Sequence, residues 1–181
     1  MNISLLPQDC TCVLYDEEGS FRFINEYIPY DGVQRCFRKY TTSVLEKTIC
    51  NELLKNPHRN IVTIYAVKGN IIDQELLESC IYHKEKIPNI INDIRDGLEH
   101  LHQNNIVYID LKLDNIGYST KDECFKLFDF DMSGIANPND SSKWLHEPEI
   151  GFAYKKYMKS HGNVLTNVFT MDTYNLSRFP C

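Results

Sequence analysis

The chain has 181 residues, 43% of them hydrophobic and 24% charged, so it can bury a core and lacks the composition of a disordered protein. Its formal net charge of −6 argues against nucleic-acid binding, which needs a basic surface, and no apolar run approaches the ~20 residues that span a bilayer. Its 7 cysteines, an odd number without a secretory leader, predict reduced thiols and an intracellular protein of the cytoplasm or nucleus.

The N-terminal segments have the β-branched and aromatic composition of strands. Acidic and glycine-containing turns separate them, and the simplest interpretation is a set of antiparallel strands at Cys10–Tyr15, Phe21–Tyr27 and Val33–Tyr40. A helix that ends near Asn56-Pro57 is predicted next, because apolar residues recur at helical spacing at Val44, Leu45, Ile49, Leu53 and Leu54. Two more strands, Ile61–Val67 and Asn70–Leu76, are predicted around a turn at Lys68-Gly69.

The clearest predicted element is a helix with Pro88 in its first turn, with apolar residues from Ile87 to Leu101 along one face. Short apolar strands follow at Ile106–Ile109, Ile116–Tyr118 and Cys124–Phe128. The segment Asn137–Ser142 has the composition of a loop, and helices are predicted at Ile150–Ser160 and from about Asp172. Strands first and helices afterwards predict an α+β fold in a single domain, with a β-rich lobe over about 1–77 and a helical lobe over 78–181.

Polar and acidic residues follow the long helix in an ordered pattern. The run is Leu101-His102-Gln103-Asn104-Asn105-Ile106-Val107-Tyr108-Ile109-Asp110-Leu111-Lys112-Leu113-Asp114-Asn115-Ile116, and Asp129-Phe130-Asp131 follows the later apolar strand. This pattern resembles the catalytic loop H-R-D-L-x-x-x-N and the D-F-G motif of eukaryotic-type protein kinases. The resemblance implies a two-lobed kinase fold, ATP and Mg²⁺ as cofactors, and phosphoryl transfer to Ser or Thr of a protein substrate.

The same resemblance implies a role for each polar residue of the pattern. Asp110 and Lys112 are the predicted catalytic residues, since Asp110 would accept or orient the proton of the acceptor hydroxyl and Lys112 would hold the γ-phosphate. Asn115 and Asp129 would bind Mg²⁺ through hard oxygen atoms, and through it the nucleotide phosphates. Lysine at position 112 is typical of the members that act on Ser and Thr.

The resemblance also implies a strand lysine and a helix glutamate upstream of the loop, and the sequence offers two candidates for each. Lys39 is the first candidate, and Arg38 the second, for the strand lysine that holds the α- and β-phosphates of ATP. Its partner on the following helix is predicted to be Glu46, with Glu52 as the alternative.

Three more family positions are assigned from their place in the sequence: the hinge, the end of the activation segment and a buried aspartate near the C-terminus. Glu75 and Leu77 fall where the backbone of the hinge between the lobes would bind adenine. Glu147-Pro148-Glu149 resembles the A-P-E that closes the activation segment, which would run from Asp129 to Glu149. Asp172 resembles the aspartate that ties down the backbone of the catalytic loop.

Several positions depart from the family pattern. There is no G-x-G-x-x-G, and the proposed first hairpin contains only Gly19. Ile109 replaces the arginine that pairs with a phosphorylated activation segment, so regulation by such phosphorylation is not expected. Asp131 replaces the glycine of D-F-G and adds a carboxylate near the metal site. Phe37 and Gly117 invert the small and large residues above and below the adenine site, and our hypothesis is that Phe37 fills part of it.

The chain ends soon after Asp172, where the family has further helices. We therefore expect a partner, or a second copy in a homo-oligomer, to cover apolar surface on the shortened helical lobe. The residues expected there, with an ordinary core role as the alternative, are Leu165, Val168, Phe169, Leu176 and Phe179. Two other functions stay open: a pseudokinase that acts as an interaction or nucleotide-binding module, and a small-molecule phosphotransferase.

Overall fold

The structure is a computed structural model that describes residues 34–83 and 86–179, together with short strands nearer the N-terminus. The strands are β1 (Cys12–Val13), β2 (Phe23–Ile24), β3 (Glu26–Tyr30), β4 (Gln34–Tyr40), β5 (Ile64–Lys68), β6 (Ile71–Glu75), β7 (Glu78–Ser79), β8 (Ile106–Val107), β9 (Ile116–Ser119), β10 (Cys124–Leu127), β11 (Gly134–Asn137) and β12 (Asp140–His146). The helices are α1 (Val44–Lys55), α2 (Ile87–Gln103), α3 (Phe152–Ser160) and α4 (Thr170–Leu176). The predicted turn at Gly19 lies outside the described residues.

An antiparallel sheet in the order β3–β4–β6–β5 forms the upper lobe together with α1. The helix begins where the Ser43 hydroxyl accepts a hydrogen bond from the backbone N–H of Glu46, at 3.1 Å, and it ends at Asn56, as predicted. Ile49 and Leu53 are buried in the core, so α1 holds its apolar stripe against the sheet.

One part of the predicted helix face is wrong. Val44 and Leu54 are exposed, whereas Glu46 is buried. Because residues two positions apart on an α-helix lie on nearly opposite sides, turning Glu46 toward the interior places Val44 in solvent. The ion pair that Glu46 makes therefore decides the orientation of the helix.

The lower lobe is built on α2, which carries its proline in the first turn and buries Ile90, Ile94, Leu98 and Leu101. This face packs against β10 and β8, so the long predicted helix is confirmed. Within the part of the chain that the structure describes, no helix is long and apolar enough to cross a membrane.

Two small sheets lie beside α2, in the orders β7–β9–β10 and β8–β11–β12. The second corrects the prediction of a loop over 137–142, because β11 and β12 form a hairpin there and β12 runs to His146. Its turn is polar for a local reason: the Asn137 side chain accepts from the Asn139 N–H at 2.9 Å. The strand identity of β11 comes from pairing with β8, Gly134 opposite Val107, which is a long-range contact that composition does not reveal.

The C-terminal helices α3 and α4 fall close to the predicted positions, since α3 starts two residues later than expected and α4 contains Asp172. The residues expected on an apolar surface belong to the core instead. Val168 and Phe179 are buried, and the partly buried members pack against the two core clusters; these members are Leu165, Phe169 and Leu176. The α+β, two-lobed fold is confirmed.

Candidate functional site

A cleft separates the two lobes and opens into a cavity of about 390 Å³. Its upper wall comes from β4 and β6, and its floor comes from β9 and the turn before it. The residues that line it are Phe37, Gln74, Glu75, Leu76, Leu77, Glu78, Ser79, Cys80, Leu113, Asp114, Ile116, Gly117 and Phe128. A concave, mostly apolar cavity with a few polar groups is the usual form of a small-ligand site.

The deep end of the cleft holds an ion triad of Lys39, Glu46 and Asp129. Lys39 Nζ lies 2.6 Å from Glu46 Oε1 and also donates a hydrogen bond to Asp129 Oδ1. Burial alone lowers the pKa of Lys39, but the charges of Asp129 and Glu46 outweigh it and raise that pKa, so the ammonium group stays protonated. One cation from the upper lobe thus meets carboxylates from α1 and from the lower lobe.

The alternatives for this pair are placed elsewhere. Arg38 points to the other face of β4 and makes a bidentate pair with Asp73, at 2.7 and 2.8 Å. Glu52 accepts a hydrogen bond from Asn56 on the outer part of α1. The structure therefore brings Lys39 and Glu46 together and leaves Arg38 and Glu52 outside the cleft.

Asp110, Lys112 and Asn115 form a compact group just before β9, next to the cavity-lining residues Leu113 and Asp114. Lys112 Nζ lies 2.6 Å from Asp110 Oδ2, and Asn115 Nδ2 donates to the same oxygen and to the Asp110 carbonyl, each at 3.0 Å. The hydrogen bond to Asp110 raises the pKa of Lys112. The side-chain NH₂ group of Asn115 donates to Asp110. The side-chain oxygen of Asn115, Oδ1, is therefore the atom left to bind a cation.

The β9–β10 hairpin brings Asn115 and Asp129 to the same edge of the cleft. Asn115 precedes β9 and Asp129 follows β10, and Ile116 pairs with Leu127 in the register. The Phe128 N–H donates to the Asn115 carbonyl at 3.2 Å, which closes this end of the hairpin. The antiparallel pairing thus brings the backbones at Asn115 and Asp129 close together, although the two residues are distant in sequence.

Asp131 adds another carboxylate near Asp129. Burial and then the charge of Asp129 raise the pKa of Asp131 to about 6. Phe130, between the two aspartates, is buried edge-on against Tyr108, with ring centroids 5.7 Å apart. This anchored aromatic ring fixes the backbone that carries Asp129 and Asp131.

The backbone before Asp110 is held by a fully buried carboxylate, Asp172. Its oxygens accept hydrogen bonds from the N–H of Ile109 at 2.7 Å, from the N–H of Tyr108 at 2.9 Å and from His102 Nε2 at 2.8 Å. Asn175 adds a bond to the Ile109 carbonyl at 2.6 Å. The predicted tie between the last helix and the loop is confirmed.

Ile109 adopts a left-handed conformation with φ of +69°, which is an outlier for a β-branched residue and costs of order 1–3 kcal/mol. Its side chain is buried in an apolar cluster that includes Ala136 of β11, Tyr157 of α3 and Met171 of α4. In place of an arginine that would pair with a phosphate, the chain has an apolar residue packed against the activation segment.

Sequence analysis missed the role of Tyr108. Its hydroxyl donates toward the carbonyls of Phe128 and Asn115, the latter at 3.3 Å, so it bridges the two strands at the open end of the β9–β10 hairpin. Burial and then the charge of Asp129 raise the pKa of this hydroxyl well above its ordinary value, which keeps it a donor. The only signal in the sequence was a large polar aromatic residue directly before the loop.

At the hinge, Glu75 and Leu77 both line the cavity, but the Glu75 side chain is used elsewhere. Its carboxylate accepts from Lys126 Nζ at 2.7 Å and from the Thr63 hydroxyl at 2.9 Å, behind the hinge. The Glu75 side chain is therefore not available to a ligand, and its backbone N–H is also used, since it donates to the Thr63 carbonyl at 2.8 Å. The buried Lys126, a residue not singled out from the sequence, balances this carboxylate.

Leu77 also changes the explanation of Gly117. A Cβ atom built on Gly117 would lie 2.5 Å from Leu77 Cβ, so the hinge leucine occupies the space where a larger floor residue would stand. Phe37 does line the cavity, but Leu77 is the residue that compensates for the glycine. The small residue Gly117 is therefore matched by the large hinge residue Leu77, which packs directly against it.

Comparison with known proteins places these features in a family. The family model described as "Protein kinase domain" matches residues 34–160. Over 98 residues, 46% of this chain and 14% of the relative, the chain is 34% identical to a Caenorhabditis elegans membrane-associated tyrosine- and threonine-specific cdc2-inhibitory kinase, wee-1.3. It is 24% identical to the Drosophila melanogaster membrane-associated tyrosine- and threonine-specific cdc2-inhibitory kinase over 156 residues, which cover 82% of this chain and 25% of that protein. It is 32% identical to the human serine/threonine-protein kinase Kist over 96 residues, 42% of this chain and 23% of that protein. The matched part spans a quarter or less of each of these relatives.

Proposed function

The chain belongs to the protein kinase domain family, and we propose that it transfers the γ-phosphoryl group of ATP to Ser or Thr hydroxyls of a protein, with Mg²⁺ as the metal. The observation that carries this proposal is the meeting of two groups at one cleft. Lys39, Glu46 and Asp129 form a buried ion triad, and Asp110 is held between Lys112 and Asn115.

The donor set fits a magnesium nucleotide. Asn115 and Asp129 offer hard oxygen atoms, and the Asp129 side chain is 32% exposed, so a ligand can reach it. Among the described residues there is no cluster of three or more His, Cys, Asp or Glu side chains that could hold a metal by themselves. A site of this kind suits Mg²⁺, which keeps water ligands and shares its coordination with phosphate oxygens. When bound, Mg²⁺ supplies neutralisation of the phosphate charge.

Lys39 supplies the phosphate-binding cation of the upper lobe. Glu46 holds it in place, and Asp129 gives it a second carboxylate contact. At the other end of the cleft, we assign the backbone carbonyl of Glu75 and the backbone of Leu77 to the adenine edge; this is supported by the fact that both residues line the cavity.

Asp110 is the residue that we assign to the acceptor hydroxyl. Its Oδ2 accepts from Lys112 and Asn115, which fixes the carboxylate and leaves the second oxygen for a substrate proton. Lys112 is half-exposed and paired with Asp110, and we assign it to bind a γ-phosphate oxygen as a cation. The preference for Ser and Thr over Tyr rests on this lysine and its contact with Asp110.

The first experiment measures binding. Thermal unfolding of the full chain is followed over a titration of ATP with and without Mg²⁺, and the wild type is compared with Asp129→Asn and with Asp96→Asn, an exposed aspartate on α2. We expect Mg²⁺-dependent stabilisation in the wild type and in Asp96→Asn, and its loss in Asp129→Asn. Absence of stabilisation at any nucleotide concentration would refute a nucleotide-dependent function.

The second experiment measures transfer of radiolabelled phosphate from ATP to the chain itself or to a generic basic protein. Transfer that is abolished by Asp110→Asn and retained in Asp96→Asn, the exposed aspartate on α2, supports the proposal. Nucleotide binding without transfer would overturn it in favour of a pseudokinase that acts as a binding module. Transfer to an aminoglycoside or a sugar, and never to protein, would assign the chain to the small-molecule phosphotransferases.

A further inference from the structure

One face of α3 is exposed to solvent and combines an aromatic residue with lysines. The opposite face holds Tyr154 and Tyr157, which are buried in an apolar cluster of the lower lobe. Because an α-helix has about 3.6 residues per turn, residues separated by a whole number of turns lie on one face. The residues of the exposed face, here called the α3 stripe, are Phe152, Lys155, Lys156 and Lys159. Phe152 is 82% exposed, and Ile150, just before the helix, is 56% exposed.

The charge of the α3 stripe is not balanced within the fold. The helix contains no acidic residue, although the whole chain carries a formal net charge of −6. Across the described ranges 34–83 and 86–179, none of the stripe lysines forms an ion pair with a carboxylate. An anionic group from outside this part of the chain would therefore be the natural partner of the stripe.

The stability of α3 does not account for these lysines. Lys159 lies in the last turn, where the helix dipole favours a cation. Lys155 lies near the N-terminal end, where the dipole disfavours one. Lys155 and Lys159 are also spaced by one helical turn, at which like charges destabilise a helix. The arrangement thus costs the helix stability, and binding of an acidic partner would remove that cost.

The α3 stripe begins beside the activation segment. A Cβ atom built on Gly151, the residue before the helix, would lie 3.3 Å from Met132 Sδ, and Met132 directly follows Asp131. The Tyr154 hydroxyl donates to Glu147 at 3.4 Å, so the helix is also tied to the end of the same segment. A ligand on the α3 stripe would therefore adjoin the activation segment.

We propose that the α3 stripe is a docking surface for an acidic segment of the protein substrate. This inference rests on the proposed function, because it names a substrate feature for the same enzyme. Carboxylates of the segment would pair with the stripe lysines, and an apolar residue among them would pack on Phe152. An anionic membrane is the less suitable partner, because the net charge of the chain is negative and a lipid-binding cluster usually has about four to eight basic residues.

The test measures peptide binding by fluorescence anisotropy without nucleotide, so the readout is independent of catalysis. The probe is a short labelled peptide of glutamates around one leucine, and the control peptide has glutamine in place of every glutamate. The stripe variant combines Lys155→Gln, Lys156→Gln and Lys159→Gln. The matched control variant changes exposed lysines on other elements and combines Lys55→Gln, Lys68→Gln and Lys121→Gln.

We expect the wild type and the control variant to bind the acidic peptide, and the stripe variant to bind it roughly 10-fold more weakly, as for the loss of several exposed ion pairs. Binding should weaken with salt, since the Debye length falls from ~10 Å at ~0.1 M to ~3 Å at ~1 M. Phe152→Ala should weaken binding of the leucine-containing peptide, and not of a peptide with serine in place of leucine. A variant with glutamate at the three stripe lysines should instead bind a lysine-rich peptide, which is a gain that misfolding cannot produce.

A transfer assay connects the α3 stripe to the substrate. A serine peptide that carries the acidic segment should have a KM roughly 10-fold lower than the same peptide without it, and the stripe variant should lose this preference. Equal KM values for the two peptides in the wild type would overturn the assignment of the segment to the substrate.

The remaining outcomes separate this inference from the proposed function. If the wild type does not bind the acidic peptide, or if the stripe variant binds it equally well, the docking surface is refuted, whereas ATP-dependent transfer is judged by its own assay. Lysine-dependent binding to phosphatidylserine vesicles, or lysine-dependent self-association, without peptide binding would overturn the inference in favour of a membrane or a second copy. If no protein or peptide is phosphorylated, the proposed function fails, while a lysine-dependent anisotropy signal still supports a surface for acidic peptides.

Discussion

Asp172→Asn is the most informative change to the scaffold of the site, because it keeps the shape of the side chain and removes one acceptor. In the native protein, Asp172 accepts from two backbone N–H groups and from His102. An asparagine has one oxygen and one NH₂ group at this place. Whichever way the amide is turned, its NH₂ group faces the N–H of Ile109 or of Tyr108, since both are donors.

The magnitude follows from these contacts. Losing one hydrogen bond to a charged acceptor costs about 1.5–3 kcal/mol, and leaving a buried N–H unpaired costs about 1–3 kcal/mol more. Part of this cost is returned, because the left-handed Ile109, whose N–H bonds to Asp172, stores about 1–3 kcal/mol of strain that relaxes when the tie is lost. The free energy of unfolding should therefore fall by about 2–4 kcal/mol, within the 5–15 kcal/mol of an ordinary domain.

The assay is urea denaturation, with the slope of the transition checked for constancy. Asp96→Asn removes the same charge from the exposed face of α2 and should leave the midpoint unchanged. In a phosphoryl-transfer assay, kcat of Asp172→Asn should fall by about 100-fold because Asp110 follows Ile109 directly, whereas ATP affinity should not change. An Asp172→Asn protein that is as stable as the control would refute the hydrogen-bond arrangement, and unchanged kcat would refute its role in positioning Asp110.

Three further predictions concern buried groups. Since the pKa of Asp131 is raised from 3.8 to about 6, the folded metal-free protein binds that proton more tightly than the unfolded chain, and stability falls as pH rises through this range. Asp131→Asn should then be more stable than the wild type by ~1–2 kcal/mol at pH ~8, after allowing for solvent screening, and equal to it near pH ~4; a gain at both values would contradict this assignment. Lys126→Met leaves the buried Glu75 carboxylate unpaired and should cost about 3–5 kcal/mol in urea denaturation, against no cost if the pair is not formed. Ile109→Ala should cost about 2–5 kcal/mol and make the activation segment more sensitive to limited proteolysis, and unchanged cleavage would show that the apolar cluster does not hold it.

The fold was predictable where local pattern and tertiary structure agree. The α2 helix was evident because its apolar stripe, its proline and its charged face all indicate the same element. The β11–β12 hairpin was missed because its strands depend on pairing with β8, and its polar turn resembles a loop when read alone. The burial of Glu46 in place of Val44 was equally invisible to apolar periodicity, since an ion pair with Lys39 decides it.

The residues of the site likewise fall into those that a sequence pattern predicts and those that only tertiary contacts reveal. Asp110, Asn115 and Asp129 were found because a fixed spacing carried them, and the structure brings their elements together through one hairpin. Lys126 had no such signal, because its burial depends on a carboxylate far away in the sequence.

The connection between the lobes places the two carboxylates of the ion triad relative to each other. The segment that follows α1 pairs with β10, since the Leu127 N–H donates to the Asn60 carbonyl and the Val62 N–H donates to the Leu127 carbonyl, each at 2.9 Å. Glu46 lies on the helix that leads into this segment, and Asp129 lies two residues after Leu127. The parallel contact between Ile61 and Leu127 therefore fixes the positions of both carboxylates, Glu46 and Asp129. Lys39 extends from β4 and reaches both of them. Because this contact and the apolar packing of Ile109 are made by neutral groups, we expect the geometry of the cleft not to depend on a charge added to the activation segment.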